Sequence, residues 1–254
     1  MTRQKLVIKL DDLRHIEPLT EKQHEVFQGW KKHLVHVLHG SAGTGKTFIA
    51  LFKSLCEVLG AARKYDKIVI LRSAVPARDI GALPGDEQEK TAIYELPYIE
   101  MCSSLFNRQD AYERLKEQGK IKFAATSYIR GITFDNSIIL VDEIQNLNYQ
   151  ELYSVITRVG DNSKIVFCGD FKQTDLRDSG LHKFLNVLRC VTGVAFYEFS
   201  VDDIVRSDIV KQFIIAEEQY VEPSIAVKLP NYPHTNIEFI STCYKGDGYE
   251  NKKS

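Results

Sequence analysis

The sequence predicts an α/β protein in which a parallel β-sheet is sandwiched between helices. Two observations carry that prediction. Short apolar runs of strand length alternate with longer helical patterns, and the runs are apolar throughout, as strands are when both faces of a parallel sheet are covered. A glycine-rich turn also lies between the first such run and the first strong helix, where a backbone presents N–H groups to a ligand. With 254 residues, 44% hydrophobic and 26% charged, the chain has enough apolar surface for one sizeable core, and α/β folds of about 250 residues commonly form a single unit.

Residues 1–18 read as an N-terminal extension. Thr20 to His33 reads as a helix, because Thr20 and Gln23 have the S/T-x-x-E/Q spacing of a capping box. Leu34 to Leu38 is the first strand and Thr47 to Gly60 the helix after it. Lys67 to Leu71 follows as a strand, then a Gly/Pro-marked loop and helices over Thr91 to Phe106 and Asp110 to Gly119. Ile121 to Ala124, Ser137 to Val141, Lys164 to Cys168 and Val194 to Phe199 complete the strands. Helices near Tyr149 to Val159, Ser179 to Val191 and Ile204 to Glu218 alternate with them. Pro223, Pro230 and Pro233 break any helix beyond Glu222, which makes 223–254 an extended tail and 19–222 the folded domain. No internal repeat is visible.

Several classes are excluded. Apolar runs such as Ile138 to Val141 fall far short of the roughly 18 residues of a membrane span. Met1-Thr2-Arg3-Gln4-Lys5 leads into no signal-peptide core, so the expectation is a soluble chain in the cytoplasm, with no membrane partner. Five cysteines without a Cys-x-x-Cys pair suit buried thiols better than disulfides or a metal site. A net charge of −1 excludes a strongly basic protein that coats nucleic acid, and leaves a local basic groove open.

The chemistry is concentrated in three places. Gly40-Ser41-Ala42-Gly43-Thr44-Gly45-Lys46-Thr47 fits G-x-x-x-x-G-K-[ST] in the strand-to-helix context that the motif requires. Its glycines let backbone N–H groups turn toward phosphate oxygens, Lys46 reaches the β/γ-phosphates, and Thr47 offers a hydroxyl to Mg²⁺. Asp142 and Glu143 follow a buried strand. Asp142 suits a Mg²⁺ held through water and Glu143 the polarisation of an attacking water, whereas alone they would read as a solvated acidic pair. Gly169-Asp170-Phe171-Lys172-Gln173 ends a third strand on the edge where ligands bind in open α/β sheets, which brings Gln173 toward a γ-phosphate or its attacking water; as an isolated pattern it is an ordinary polar loop. Gln23 has two competing readings, an adenine contact through its amide and a helix cap.

Leu19 to Gln23, the phosphate loop, Asp142-Glu143-Ile144-Gln145 and Gly169 to Gln173 resemble the Q motif, Walker A, Walker B and G-D-x-x-Q motifs of superfamily 1 helicases. From about Leu19 to Glu218 the chain more closely resembles the PhoH family of P-loop ATPases. Arg72-Ser73-Ala74-Val75, Gly81 to Asp86, Arg130 to Thr133, Asp142 to Asn146 and Asp203-Ile204-Val205-Arg206 look like that family's segments. Ser73 stands where a proline is usual, Ile132 where an arginine is usual, and Pro76 to Asp79 departs from an acidic stretch.

The resemblance implies a RecA-like P-loop NTPase fold, ATP and Mg²⁺ as cofactors, and ATP hydrolysis, with RNA helicase action in part of the family. Arg72, Arg78 and Arg130, in loops after strands, are the candidate contacts to RNA or another single strand, against a reading as surface arginines paired with nearby acids. A chain with one nucleotide-fold lobe is expected to borrow the second from a neighbouring subunit, which points to a homo-oligomeric ring, a hexamer. Arg206 would then sit away from its own Lys46 and act across the subunit boundary; the alternatives are an ion pair on its own helix and Arg177 as the acting residue. An ATP-dependent switch or scaffold for a protein partner is the competing function. A P-loop kinase is disfavoured by Glu143.

Overall fold

A computed structural model describes residues 7–73, 87–170 and 180–220. Six strands form one all-parallel sheet: β1 (Val35–Gly40), β2 (Lys67–Arg72), β3 (Ile121–Ala125), β4 (Ser137–Val141), β5 (Lys164–Gly169) and β6 (Val194–Phe199), in the order β3-β2-β4-β5-β1-β6. The helices are α1 (Glu21–Gly29), α2 (Lys46–Leu59), α3 (Glu87–Phe106), α4 (Ala111–Glu117), α5 (Tyr149–Ile156), α6 (Leu181–Arg189) and α7 (Asp208–Gln219). This is the RecA-like P-loop arrangement: β1, which leads into the glycine-rich loop, and β4, which ends at the acids, flank β5.

The continuous apolar strands follow from the two-sided core. Successive side chains of a strand point to opposite faces. Ile138, Leu140, Val166 and Cys168 pack with α1, α2, α3 and α4 on one side, while Ile139, Val141, Ile165 and Phe167 pack with α5 and α6 on the other. Both sets are buried, so no polar alternation survives.

Several elements begin or end at residues other than those the sequence predicts. The first helix stops at Gly29 rather than His33, and Trp30 is then buried in the core. Residues within 1–18 do not stand apart: Ile8 is buried in the core, and the Arg14 N–H donates to the Leu105 carbonyl at 2.9 Å. The last helix begins at Asp208 rather than Ile204, after a separate 3-10 turn at Val201–Asp203. The folded unit closes at Glu218 and a second unit begins at Gln219. The tail 223–254 lies outside the described residues. Among the described residues no helix is long and apolar enough to cross a membrane.

Strand β1 carries a buried histidine that makes stability depend on pH. His36 is stacked between Trp30 and Tyr197, at ring centroid distances of 4.9 and 6.0 Å, and is fully buried. Burial, then the nearby Lys164 ammonium, pushes its pKa down to about 4. The unfolded value is about 6.5. Above that pH both states are neutral. As pH falls from there toward 4, the unfolded chain takes up a proton that the folded chain refuses, and stability falls by up to ~3 kcal/mol. Urea denaturation at stepped pH should show this loss, and His36→Phe should remove most of it; an equal slope in the variant would assign the effect elsewhere.

Candidate nucleotide site

The six strands among the described residues run parallel, so the ends of β1, β2, β4 and β5 lie on one edge of the sheet, where a cleft of about 680 Å³ opens among residues at or just beyond those ends. The glycine-rich loop forms one wall. Gly45 caps α2 in the left-handed region, at φ 79°, and a Cβ there would stand 3.5 Å from the Gln23 amide. Gly43 has φ 73°, and a Cβ on it would meet the Arg206 Cγ at 2.9 Å. Both positions need glycine for conformation, and the second also for space. Behind the loop, α2 presents the free N–H groups of a helix start, where an anion is favoured.

Lys46 is curled onto its own loop. Its Nζ donates to the carbonyls of Gly40 and Ser41 at 2.8 and 2.7 Å and to Thr44 Oγ1 at 3.3 Å. Burial pulls its pKa below the usual lysine value, and Asp170 opposes this most strongly. A phosphate entering the loop would compete with those carbonyls for the ammonium, and charge-assisted hydrogen bonds favour the phosphate.

The acids stand opposite. Thr47 Oγ1 donates to Asp142 Oδ1 at 2.7 Å and Tyr98 Oη donates to Oδ2 at 2.7 Å. Burial, then the Asp142 charge, raises the Tyr98 pKa well above the ordinary phenol, so Tyr98 remains a donor. Glu143 adopts a left-handed backbone at φ 52°, unusual outside glycine and worth roughly 1–3 kcal/mol of strain. Its carboxylate is held from two sides, by the Gln145 amide on Oε2 and by Arg72 at 4.0 Å from Oε1. Burial and then Asp142 raise the Glu143 pKa. Gln145 also accepts the Asp170 N–H at 3.1 Å and so ties β5 to the acid pair.

These groups fit Mg²⁺ with a nucleotide. Among the described residues no cluster of three or more acids, histidines or cysteines forms a closed protein cage, and Mg²⁺ typically takes one or two carboxylates and draws its remaining ligands from substrate phosphates and water. The Thr47 hydroxyl beside Asp142 is such a donor set.

Other expected residues fall in different places. Ser41 and Thr44 are buried within the loop, and Ala42 lines the cleft. Gln23 completes only half of the capping box. Its backbone N–H donates to Thr20 Oγ1 at 3.3 Å, but its side chain accepts from the Leu19 N–H at 2.7 Å and donates to the Thr44 carbonyl at 3.1 Å, bracing the phosphate loop. Arg72 is turned into the cleft toward Glu143 and over the Tyr94 ring, at 5.9 Å, rather than out along a nucleic-acid track. Arg130 is exposed and does not line the cleft. Gln173, Arg177, Arg78 and the segment Gly81 to Asp86 lie outside the described residues.

Arg206 is the principal correction. It lines the same cleft as Lys46, close against its own chain's Gly43. The reason is the turn before it: Ser200 and Asp203 cap Val201–Asp203 reciprocally, and the Val205 N–H then donates to the Gly43 carbonyl at 3.1 Å, folding the chain back over the phosphate loop. Sequence reasoning also missed Tyr98 as a partner of Asp142. Gln145 was legible only as a letter of a motif.

The family described as PhoH-like protein matches residues 15–218. The chain belongs to the PhoH family. Its similarity to curated PhoH relatives is substantial: 36% identity to a PhoH-like protein of Synechocystis over 79% of this chain, 39% to Protein PhoH2 of Bacillus subtilis over 63%, and 33% to Protein PhoH of Escherichia coli over 66%. It spans only part of their lengths, at 61%, 35% and 48%. Among solved structures it is similar to the Pyrococcus furiosus Hef helicase domain, at 16% identity and TM-score 0.44 over 69% of this chain and 38% of that one. It is also similar to the large terminase of a thermophilic bacteriophage, at 14% and 0.47 over 78% and 50%.

Proposed function

We propose that this PhoH-family chain binds ATP with Mg²⁺ and hydrolyses it, and that hydrolysis remodels or unwinds RNA or another single-stranded nucleic acid in the cytoplasm. The observation that carries the ATPase reading is the convergence of Lys46, the Thr47–Asp142 pair and Glu143 on one sheet edge. In this reading Lys46 binds the β/γ-phosphates, Thr47 and Asp142 hold Mg²⁺, and Glu143, aimed by Arg72 and Gln145, orients the attacking water. Mg²⁺ supplies charge neutralisation on the phosphates. Gln173 is the proposed sensor of the γ-phosphate.

The nucleic-acid half of the reading rests on family membership and on Arg78 and Arg130 after β2 and β3. ATP turnover measured with single-stranded RNA, single-stranded DNA and duplex tests it: stimulation by a single strand is expected. Insensitivity to all three would favour the switch or scaffold that acts on a protein partner, which the net charge of −1 also suits.

Gln23 is proposed to read adenine through the amide that now braces Thr44. A bidentate amide–adenine pair discriminates by ~1–3 kcal/mol, so Gln23→Glu should erode the preference for ATP over GTP in competition binding. An unchanged preference would leave Gln23 as a brace alone.

A homo-oligomeric ring, a hexamer, remains the proposed assembly, on the ground that the described residues form one nucleotide-fold lobe; Ile209 and Phe213 of α7, 72% and 71% exposed, are apolar surface that a subunit interface would cover. The position of Arg206 changes what such a ring does. Arg206 is proposed to act in cis on the nucleotide of its own phosphate loop, as arginines supplied by the same chain do in some P-loop enzymes. Mixing Lys46→Ala with Arg206→Ala subunits should therefore restore no turnover, since each chain spoils its own site. Recovery in a verified mixed oligomer would return the arginine to the neighbouring subunit.

A further inference from the structure

Asp142 ends β4 with each carboxylate oxygen taken by a hydroxyl donor, one from Thr47 and one from Tyr98, both at 2.7 Å. Thr47 belongs to the phosphate loop. Tyr98 comes from α3, 44 residues away in sequence. We propose that Tyr98 is a positioning residue of the metal site: its hydroxyl fixes the rotation of the Asp142 carboxylate so that Oδ1 stays turned toward Thr47. The inference rests on the reading that Thr47 and Asp142 hold Mg²⁺ beside ATP.

A carboxylate with one donor is free to turn about its Cβ–Cγ bond. Donors on both oxygens oppose that turn, because any rotation loses two charge-assisted bonds at once. The second donor is itself rigid. The Tyr98 ring is fully buried and packs on Phe123 of β3, with centroids 5.9 Å apart, so the hydroxyl is delivered at a fixed reach. A buried tyrosine needs some acceptor, and a core tyrosine commonly finds one without functional consequence. Here the acceptor is the candidate metal ligand itself, and hydrogen bonds behind a ligand tune metal affinity.

The placement of α3 adds to this. β2 and α3 flank the segment 74–86, and each sends one side chain to the acid pair: Arg72 to Glu143 and Tyr98 to Asp142. Neither residue belongs to the motifs that place Lys46, Thr47, Asp142 and Glu143.

Tyr98→Phe deletes one oxygen and keeps the ring against Phe123. Fluorescent mant-ATP is titrated onto parent and variant in EDTA and across a series of MgCl₂ concentrations, and binding of Mn²⁺ to each nucleotide complex is followed by electron paramagnetic resonance. The expected result is unchanged affinity in EDTA with the Mg²⁺ and Mn²⁺ midpoints raised about tenfold to a hundredfold, the usual cost of losing a partner behind a metal ligand. Phe123→Leu loosens the packing but keeps the hydroxyl, and should lower the melting temperature while raising the midpoints much less than Tyr98→Phe does.

Parental midpoints in Tyr98→Phe would overturn the inference. So would an affinity loss in EDTA as large as that in Mg²⁺, a Phe123→Leu shift of the same size, or a Tyr98→Phe chain that does not fold, since each makes the role structural. A parent that binds no mant-ATP under any condition would instead remove the nucleotide reading beneath it.

Discussion

Glu143→Gln should leave ATP binding intact and reduce turnover by roughly 10²- to 10⁴-fold, the range that a positioned general base contributes. The substitution keeps the size and planarity of the side chain, and the left-handed backbone at φ 52° is a property of the turn into Ile144–Asn146. What disappears is the negative charge that faces Arg72 and the oxygen that would draw a proton from water. The phosphate loop and the Thr47–Asp142 pair do not depend on it, so nucleotide affinity has no reason to fall. Equilibrium binding of mant-ATP measured beside phosphate release separates the two quantities. Equal loss of both would make Glu143 a support of the loop rather than an actor on water.

Lys46→Ala should weaken ATP binding at least about tenfold, since a hydrogen bond to a charged group contributes ~1.5–3 kcal/mol. In the free protein the Lys46 ammonium is occupied by the carbonyls of Gly40 and Ser41. The gain on binding is thus an exchange, from neutral acceptors to a phosphate, and that difference is what alanine forfeits. Alanine also leaves those two carbonyls without their lysine donor beside a buried wall, so a small fall in melting temperature should accompany the loss of affinity. Binding isotherms and thermal melts check both effects; parental affinity would exclude Lys46 from the phosphate site.

The sheet was legible in the sequence because a parallel strand buried on both faces is apolar without interruption, as Ser137 to Val141 and Lys164 to Gly169 largely are once their polar first residues are set aside. The phosphate loop was legible because its chemistry is local: glycines, lysine and threonine act within a few residues of one another. The acids were readable only in company with that loop. What stayed hidden depends on tertiary contact or on backbone handedness. Nothing about Tyr98 in a helical stretch announces that its hydroxyl meets Asp142. Asp202 and Asp203 suit the start of an α-helix as well as a capped 3-10 turn, and a helix read from Ile204, where the structure has a turn and then a helix from Asp208, displaced Arg206 from the cleft it lines. Gln23 fitted a capping box by spacing, yet its longer reach to Leu19 and Thr44 uses bonds that no local pattern specifies.

Lys46, Thr47, Asp142 and Glu143 are proposed to form one Mg²⁺-dependent ATP-hydrolysing site. Its most direct test is steady-state release of phosphate from ATP by the purified chain, measured in Mg²⁺ and in EDTA, with Glu143→Gln prepared in parallel. Release should require Mg²⁺ and collapse in the variant. Release that persists in EDTA, or that Glu143→Gln performs as well as the parent, would contradict it.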